Sequence, residues 1–167
     1  SATPTNRQPN GTRSIPRCDL TSVCPLCKGV NTESYFRDKF RDYLVCRDCY
    51  LVHVPERFHL SDEEEKTRYD LHENDPGDLR YRAFLGRLFN PVKAYIAKGS
   101  SGLDFGCGPG PTLSVMLQEA GYVIDTYDKF YAPHLEVFQN QYDFITATEV
   151  AEHLSDPRFE LERLYHL

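Results

Sequence analysis

Read by hydrophobic spacing, the second half of the chain alternates short apolar runs with amphipathic stretches. Leu103 and Phe105 mark a brief apolar strand, and Tyr122 to Tyr127 mark a second. Between them Leu113, Met116, Leu117 and Ala120 recur at i, i+3, i+4 and i+7, the period of a helix burying one face. Pro111 suits that helix's first turn and Gly121 its end. Upstream, Phe84, Leu85, Leu88, Val92 and Ile96 predict a helix over residues 78–97, which Pro91 should kink or divide. Ser61-Asp-Glu-Glu64 is a capping box that predicts a helix to about Leu71, its acids at the positive end of the helix dipole. Asp156-Pro157 predicts a last helix carrying Phe159, Leu161 and Leu164.

The first half reads differently. Residues 1–17 hold three prolines, three arginines and little apolar content, and read as a flexible tail. Cys24-Pro-Leu-Cys27 and Cys46-Arg-Asp-Cys49 follow, eighteen residues apart. Each C-x-x-C can offer two thiolates from one tight turn, and the span between fits a hairpin, with Tyr35-Phe36 and Tyr43-Leu44-Val45 as strands and Asp38-Lys39-Phe40 near the bend. Four sulfurs leave no open coordination position, so the pattern predicts a structural zinc ribbon over residues 18–60, ahead of a redox dithiol or a catalytic metal. His53 reads as a surface or packing residue, and Cys18 as an incidental thiol.

With 167 residues, the chain can hold one small and one larger domain with a real core. Its net charge of −6 argues against a broad nucleic-acid surface. Basic and acidic residues between Cys24 and Leu60 nearly balance, so the ribbon gives RNA binding only weak support. Neither a membrane-length apolar run nor a signal-peptide pattern is present, which places the expected location in the cytoplasm.

The chemistry concentrates in Gly102 to Asp128. Gly106, Gly108 and Gly110 form a turn where a ligand can lie against bare backbone N–H groups, and Asp128 lies twenty residues beyond Gly108, where a β-α-β unit places an acid for ribose hydroxyls. A dinucleotide fingerprint needs a third glycine where Pro111 stands, and the G-K-[ST] of a phosphate loop is absent, which disfavours an oxidoreductase and a phosphate-loop enzyme. The remaining D-x-G-x-G, starting at Asp104, resembles motif I of the class I S-adenosylmethionine-dependent methyltransferases. Tyr142-Asp-Phe-Ile-Thr-Ala-Thr-Glu-Val-Ala-Glu-His-Leu is similar to that family's fourth strand and the turn after it.

The resemblance implies a Rossmann-like α/β sheet over residues 78–167, joined to the ribbon by a helix and linker at 61–77. It implies S-adenosylmethionine as cofactor, with Asp104 near its methionine moiety, Gly106 and Gly108 beneath it and Asp128 on its ribose. Cys107, Gly110, Lys129, Phe130, Thr148 and Glu149 complete the implied cofactor-binding set. His153 and Glu149 are the candidate catalytic residues, His153 being the better base by its chemistry. Tyr69, His72, Glu73, Asn74 and Tyr81 stand where such folds often close over the cofactor, although solvated helix ends explain them more simply.

Two departures matter. Only thirteen residues separate Asp128 from Tyr142, so the usual third strand should be missing, with Phe130 and Tyr131 covering the adenosine instead. The chain stops at Leu167 before strands 5 to 7, and reads as a piece of a longer domain. The expected acceptor is a small molecule, with ribosomal RNA as an alternative and a non-catalytic interaction module as a rival of another class.

Overall fold

The computed structural model describes residues 22–71 and 74–167. The expected tail, Cys18, His72 and Glu73 lie outside the described residues. The chain is a mixed α/β protein with two three-stranded sheets.

The first sheet is antiparallel, in the order β1 (Thr32–Arg37), β2 (Asp42–Cys46), β3 (Val52–His53). The β1–β2 bend forms at Asp38, whose carboxylate accepts the N–H groups of Phe40 and Arg41, both at 2.7 Å. These two bonds hold the Asp38 carboxyl below its ordinary range, and the side chain spares the turn two unpaired donors. The third strand was not predicted, because two residues give no periodicity. It buries His53 within the sheet, which makes that residue packing rather than surface.

α1 (Asp62–Tyr69) opens on the predicted capping box: Ser61 Oγ accepts from the Glu64 N–H while the Glu64 carboxylate accepts from the Ser61 N–H. It ends two residues before the expected Leu71. α2 (Leu79–Tyr95) begins at Asp78, whose side chain accepts from Arg80 N–H. Pro91 lies inside it without dividing it.

The second sheet is parallel, in the order β5 (Val123–Tyr127), β4 (Ser101–Phe105), β6 (Phe144–Thr146). α3 (Thr112–Glu119) joins β4 to β5, and α4 (Pro157–Tyr165) follows β6. Between Asp128 and Tyr142 the chain makes an isolated bridge from Asp128 to Ala132 and a 3-10 turn at Leu135–Gln139, so no third strand forms there, as expected.

The central strand β4 separates two apolar clusters. On one face Leu85, Leu113, Met116, Leu117, Tyr122 and Ile124 pack together, which is where the predicted helical stripe of α3 goes. On the other, Leu103, Phe105 and Val137 pack with Tyr127, Phe138 and Leu164. Each fully buried leucine contributes about 1.5–3 kcal/mol. Gly102 is small for a packing reason: a Cβ there would stand 2.4 Å from the Phe144 ring. In α4 only Leu164 of the three predicted apolar residues joins the core, while Phe159 and Leu161 stay exposed.

Candidate active site and metal centre

The two C-x-x-C turns meet in space. All four thiol sulfurs of Cys24, Cys27, Cys46 and Cys49 lie within 4.8 Å of one another, with Cys24–Cys49 at 3.6 Å and Cys27–Cys46 at 3.5 Å. Those separations suit a tetrahedral ion held at about 2.3 Å from each sulfur. The turns are built alike: Lys28 (φ 60) and Tyr50 (φ 63) both take the left-handed conformation just after the second cysteine. Each sends its N–H back to the carbonyl of a cysteine four residues earlier, Lys28 to Cys24 at 3.0 Å and Tyr50 to Cys46 at 2.8 Å. Gly29 N–H also donates to Cys27 Sγ at 3.4 Å. The cluster can therefore hold a metal ion.

At the C-terminal edge of the parallel sheet lies a cavity of about 700 Å³. Its floor is the turn after β4. Gly106 and Gly108 take positive φ (75° and 67°), a conformation that favours glycine. The N–H groups of Gly106 and Cys107 both reach the Tyr127 carbonyl, at 2.7 and 3.2 Å, which ties the ends of β4 and β5 together. Gly106 also has no room for a side chain, since a Cβ would stand 2.4 Å from Val150 Cγ2.

Asp128 organises this edge. One carboxylate oxygen accepts Gly108 N–H at 2.9 Å, and the other accepts Phe130 N–H at 2.8 Å and Tyr131 N–H at 3.1 Å. A carboxylate offers roughly four lone-pair sites. Three are occupied here, and the residue lines the cavity, so one remains to accept from a ligand hydroxyl.

Of the other predicted residues, Cys107, Lys129, Phe130, Thr148, Glu149 and His153 also line this cavity. Asp104 and Gly110 instead line a smaller adjoining hollow that shares Gly106, Cys107 and Thr148 with it. Asp104 is buried and receives the hydroxyls of Ser114 at 2.6 Å and Thr146 at 2.8 Å. Burial pushes its carboxyl upward, against the opposing pull of those two hydroxyls. Thr148 Oγ1 is buried without a partner among the described residues, leaving a hydroxyl at the wall that a ligand could satisfy.

Glu149 stands out on backbone grounds. Its φ of 55° is unusual for a side-chain-bearing residue and costs on the order of 1 kcal/mol. That conformation falls where the chain leaves β6 and enters the cavity wall. Burial, then the charges of Asp104 and Asp128, push the Cys107 thiol up to about 12, so it stays protonated and is a poor nucleophile.

The structure brings in groups that sequence reasoning set aside. Tyr69, Asn74 and Tyr81 line the cavity. The Tyr69 ring meets His153 edge-on at 5.6 Å and Phe130 at 6.2 Å, and burial, followed by the charge of Glu65, pushes its phenol up to about 12. Glu65, Asp156, Phe159 and Glu160 also line it and were read only as helix-forming residues.

Gly110 is held by contact rather than by its own backbone: a Cβ there would stand 1.6 Å from the Asn74 carbonyl oxygen. Gly110→Ala should push the Asn74 segment off the turn and cost about 1–3 kcal/mol. The expected readout is a melting temperature lowered by roughly 5 °C.

Residues 76–167, more than half of the chain, match the family model described as a methyltransferase domain. The chain belongs to this methyltransferase family. No curated protein matches it significantly. The matched span contains the glycine turn, Asp128 and the Thr148–His153 segment, so methyl transfer is the general chemistry to which the cavity belongs. α1 and the cysteine cluster lie outside the match. No helix among the described residues is long and apolar enough to cross a membrane.

Proposed function

We propose that this chain is a cytoplasmic class I methyltransferase, Rossmann-like in its sheet, that takes its methyl group from S-adenosylmethionine and passes it to a small-molecule acceptor. The carrying observation is the Asp128 carboxylate, which faces the cavity with one accepting site left beside a bare glycine turn. The cavity's charges agree with a cationic cofactor without phosphates: Glu65, Asp128, Glu149, Asp156 and Glu160 line it against Lys129. Thr148 and Asp128 supply polar partners, and Phe105, Tyr127 and Phe130 supply apolar surface for an adenosyl group.

When bound, the cofactor supplies an electrophilic methyl on a sulfonium. The chain's own task is to align an acceptor for in-line displacement and to exclude water. Where the acceptor arrives protonated, His153 or Glu149 at the cavity wall can remove its proton. In this reading the four cysteines hold a structural zinc ion as a ribbon, because four thiolates leave no position for a substrate.

A small acceptor fits better than RNA. Arg37 and Arg57 share Asp42, and Arg47 pairs with Glu33, so half of the ribbon's six basic side chains are engaged by its own acids. Calorimetric titration with S-adenosylmethionine and its demethylated product tests the reading. Saturable heat at one site is expected. A flat titration would sink the enzyme reading and favour an interaction module.

A further inference from the structure

Lys129 lines the cavity, yet its ammonium is already engaged elsewhere. Nζ stands 2.7 Å from Asp62 Oδ1 and 3.1 Å from Glu65 Oε2, and both acids belong to α1. α1 has no buried residue, so core packing does not hold it in place. Polar and ring contacts, most of the described ones from the segment after β5 and one from His153 to Tyr69, hold it instead. The Tyr131 hydroxyl donates to the Asp70 carboxylate at 2.5 Å, the Lys66 ammonium sits 5.0 Å over the Tyr131 ring, and Tyr69 packs on Phe130. That segment is the one Asp128 shapes through the N–H groups of Phe130 and Tyr131. α1 thus lies outside the matched methyltransferase span but brings Glu65 and Tyr69 into the cavity wall.

We propose that Lys129 is a positioning residue that latches α1 over the cavity as a lid on the bound cofactor, and is not itself a cofactor contact. The inference rests on the cofactor reading above. An exposed ion pair contributes about 0.2–1 kcal/mol. Two such pairs at one ammonium amount to roughly a twofold to thirtyfold effect on ligand affinity. Salt weakens the Lys129–Asp62 pair most, because both of its groups are exposed, while Glu65 is partly buried.

The test uses the whole chain and S-adenosylhomocysteine as probe. Asp62 is suited to it because its side chain is 77% exposed and does not line the cavity. Lys129→Met should weaken binding about fivefold and Asp62→Asn about twofold to threefold. The double variant should be no weaker than Lys129→Met, because Lys129→Met has already removed the one pair that Asp62→Asn takes away. Ligand should slow hydrogen exchange across Asp62–Tyr69 in the unaltered protein and much less in Lys129→Met. If Lys129→Met binds poorly while ligand still slows exchange across Asp62–Tyr69 in it as much as in the unaltered protein, Lys129 touches the ligand and the latch is overturned. Unchanged binding by Lys129→Met overturns it as well. Failure of the unaltered protein to bind would instead refute the cofactor reading, so the two failures are distinguishable.

Discussion

On the proposed zinc site, treatment with a chelator, or replacing Cys46 with Ser, should unfold residues 22–60 and leave the parallel sheet folded. The reason is the small apolar content of the first sheet. Its buried side chains are Leu44, Val45, His53 and two of the cysteines, while Val30, Tyr35, Phe36, Phe40 and Tyr50 stay exposed. Burying two aliphatic side chains contributes about 3–6 kcal/mol, which cannot offset roughly 1–2 kcal/mol of backbone ordering for each strand residue. A structural zinc ion in small cysteine-bound domains contributes an apparent 10–16 kcal/mol or so near neutral pH. Four thiols must lose protons on binding, so the stabilisation is present at neutral pH and is lost as pH falls. Amide exchange is the measurement: residues 32–53 should exchange freely in chelator while β4 and α3 remain protected. Equal protection with and without chelator would show that the sheet stands without metal.

The second large effect is expected at Asp128. Asp128→Ala removes the acceptor for Gly108, Phe130 and Tyr131 N–H groups at once, and with it the link between the glycine turn and the segment after β5. Each unpaired donor costs about 1–3 kcal/mol when buried, and less where water from the open cavity can replace the carboxylate. A hydrogen bond from the ligand to this charged acceptor is lost as well, about 1.5–3 kcal/mol. S-adenosylmethionine affinity should therefore fall by about a hundredfold or more. Asp128→Asn keeps one accepting oxygen and should lose about tenfold. Titration calorimetry reads both, with thermal melting to confirm that β4 and α3 still pack. Affinity within about twofold for Asp128→Ala would show that the carboxylate only shapes the turn.

These two expectations differ in how much of their basis was visible before folding. The cysteine spacing named the four clustered sulfurs because two knuckles with a hairpin-length spacer have one short-range way to meet. The capping box at Ser61, the stripe on α3 and the stop at Gly121 were equally legible, since each depends on neighbours within about one helical turn. Pro91 did not divide α2, because Leu85, Leu88 and Val92 keep packing in the α3 cluster on either side of it. The two-residue β3 carried no period to read, and its partner Leu44–Val45 supplied the pairing.

The cavity shows the same division. Local order along the chain determined that a bare glycine turn would follow a buried strand, that an acid would end the next strand, and that four thiolates would gather. Tertiary structure alone decided that Asp128 would also accept from Gly108 N–H across the turn, that Asp104 would be buried behind it, and that Tyr69 and Glu65 would join the wall. The deciding pairs lie 20 to 84 positions apart, from Gly108 with Asp128 to Tyr69 with His153, whereas the bonds of Asp128 to Phe130 and Tyr131 are local. Such distant pairs leave no periodic trace in a sequence, because only the packed sheet brings them within bonding range.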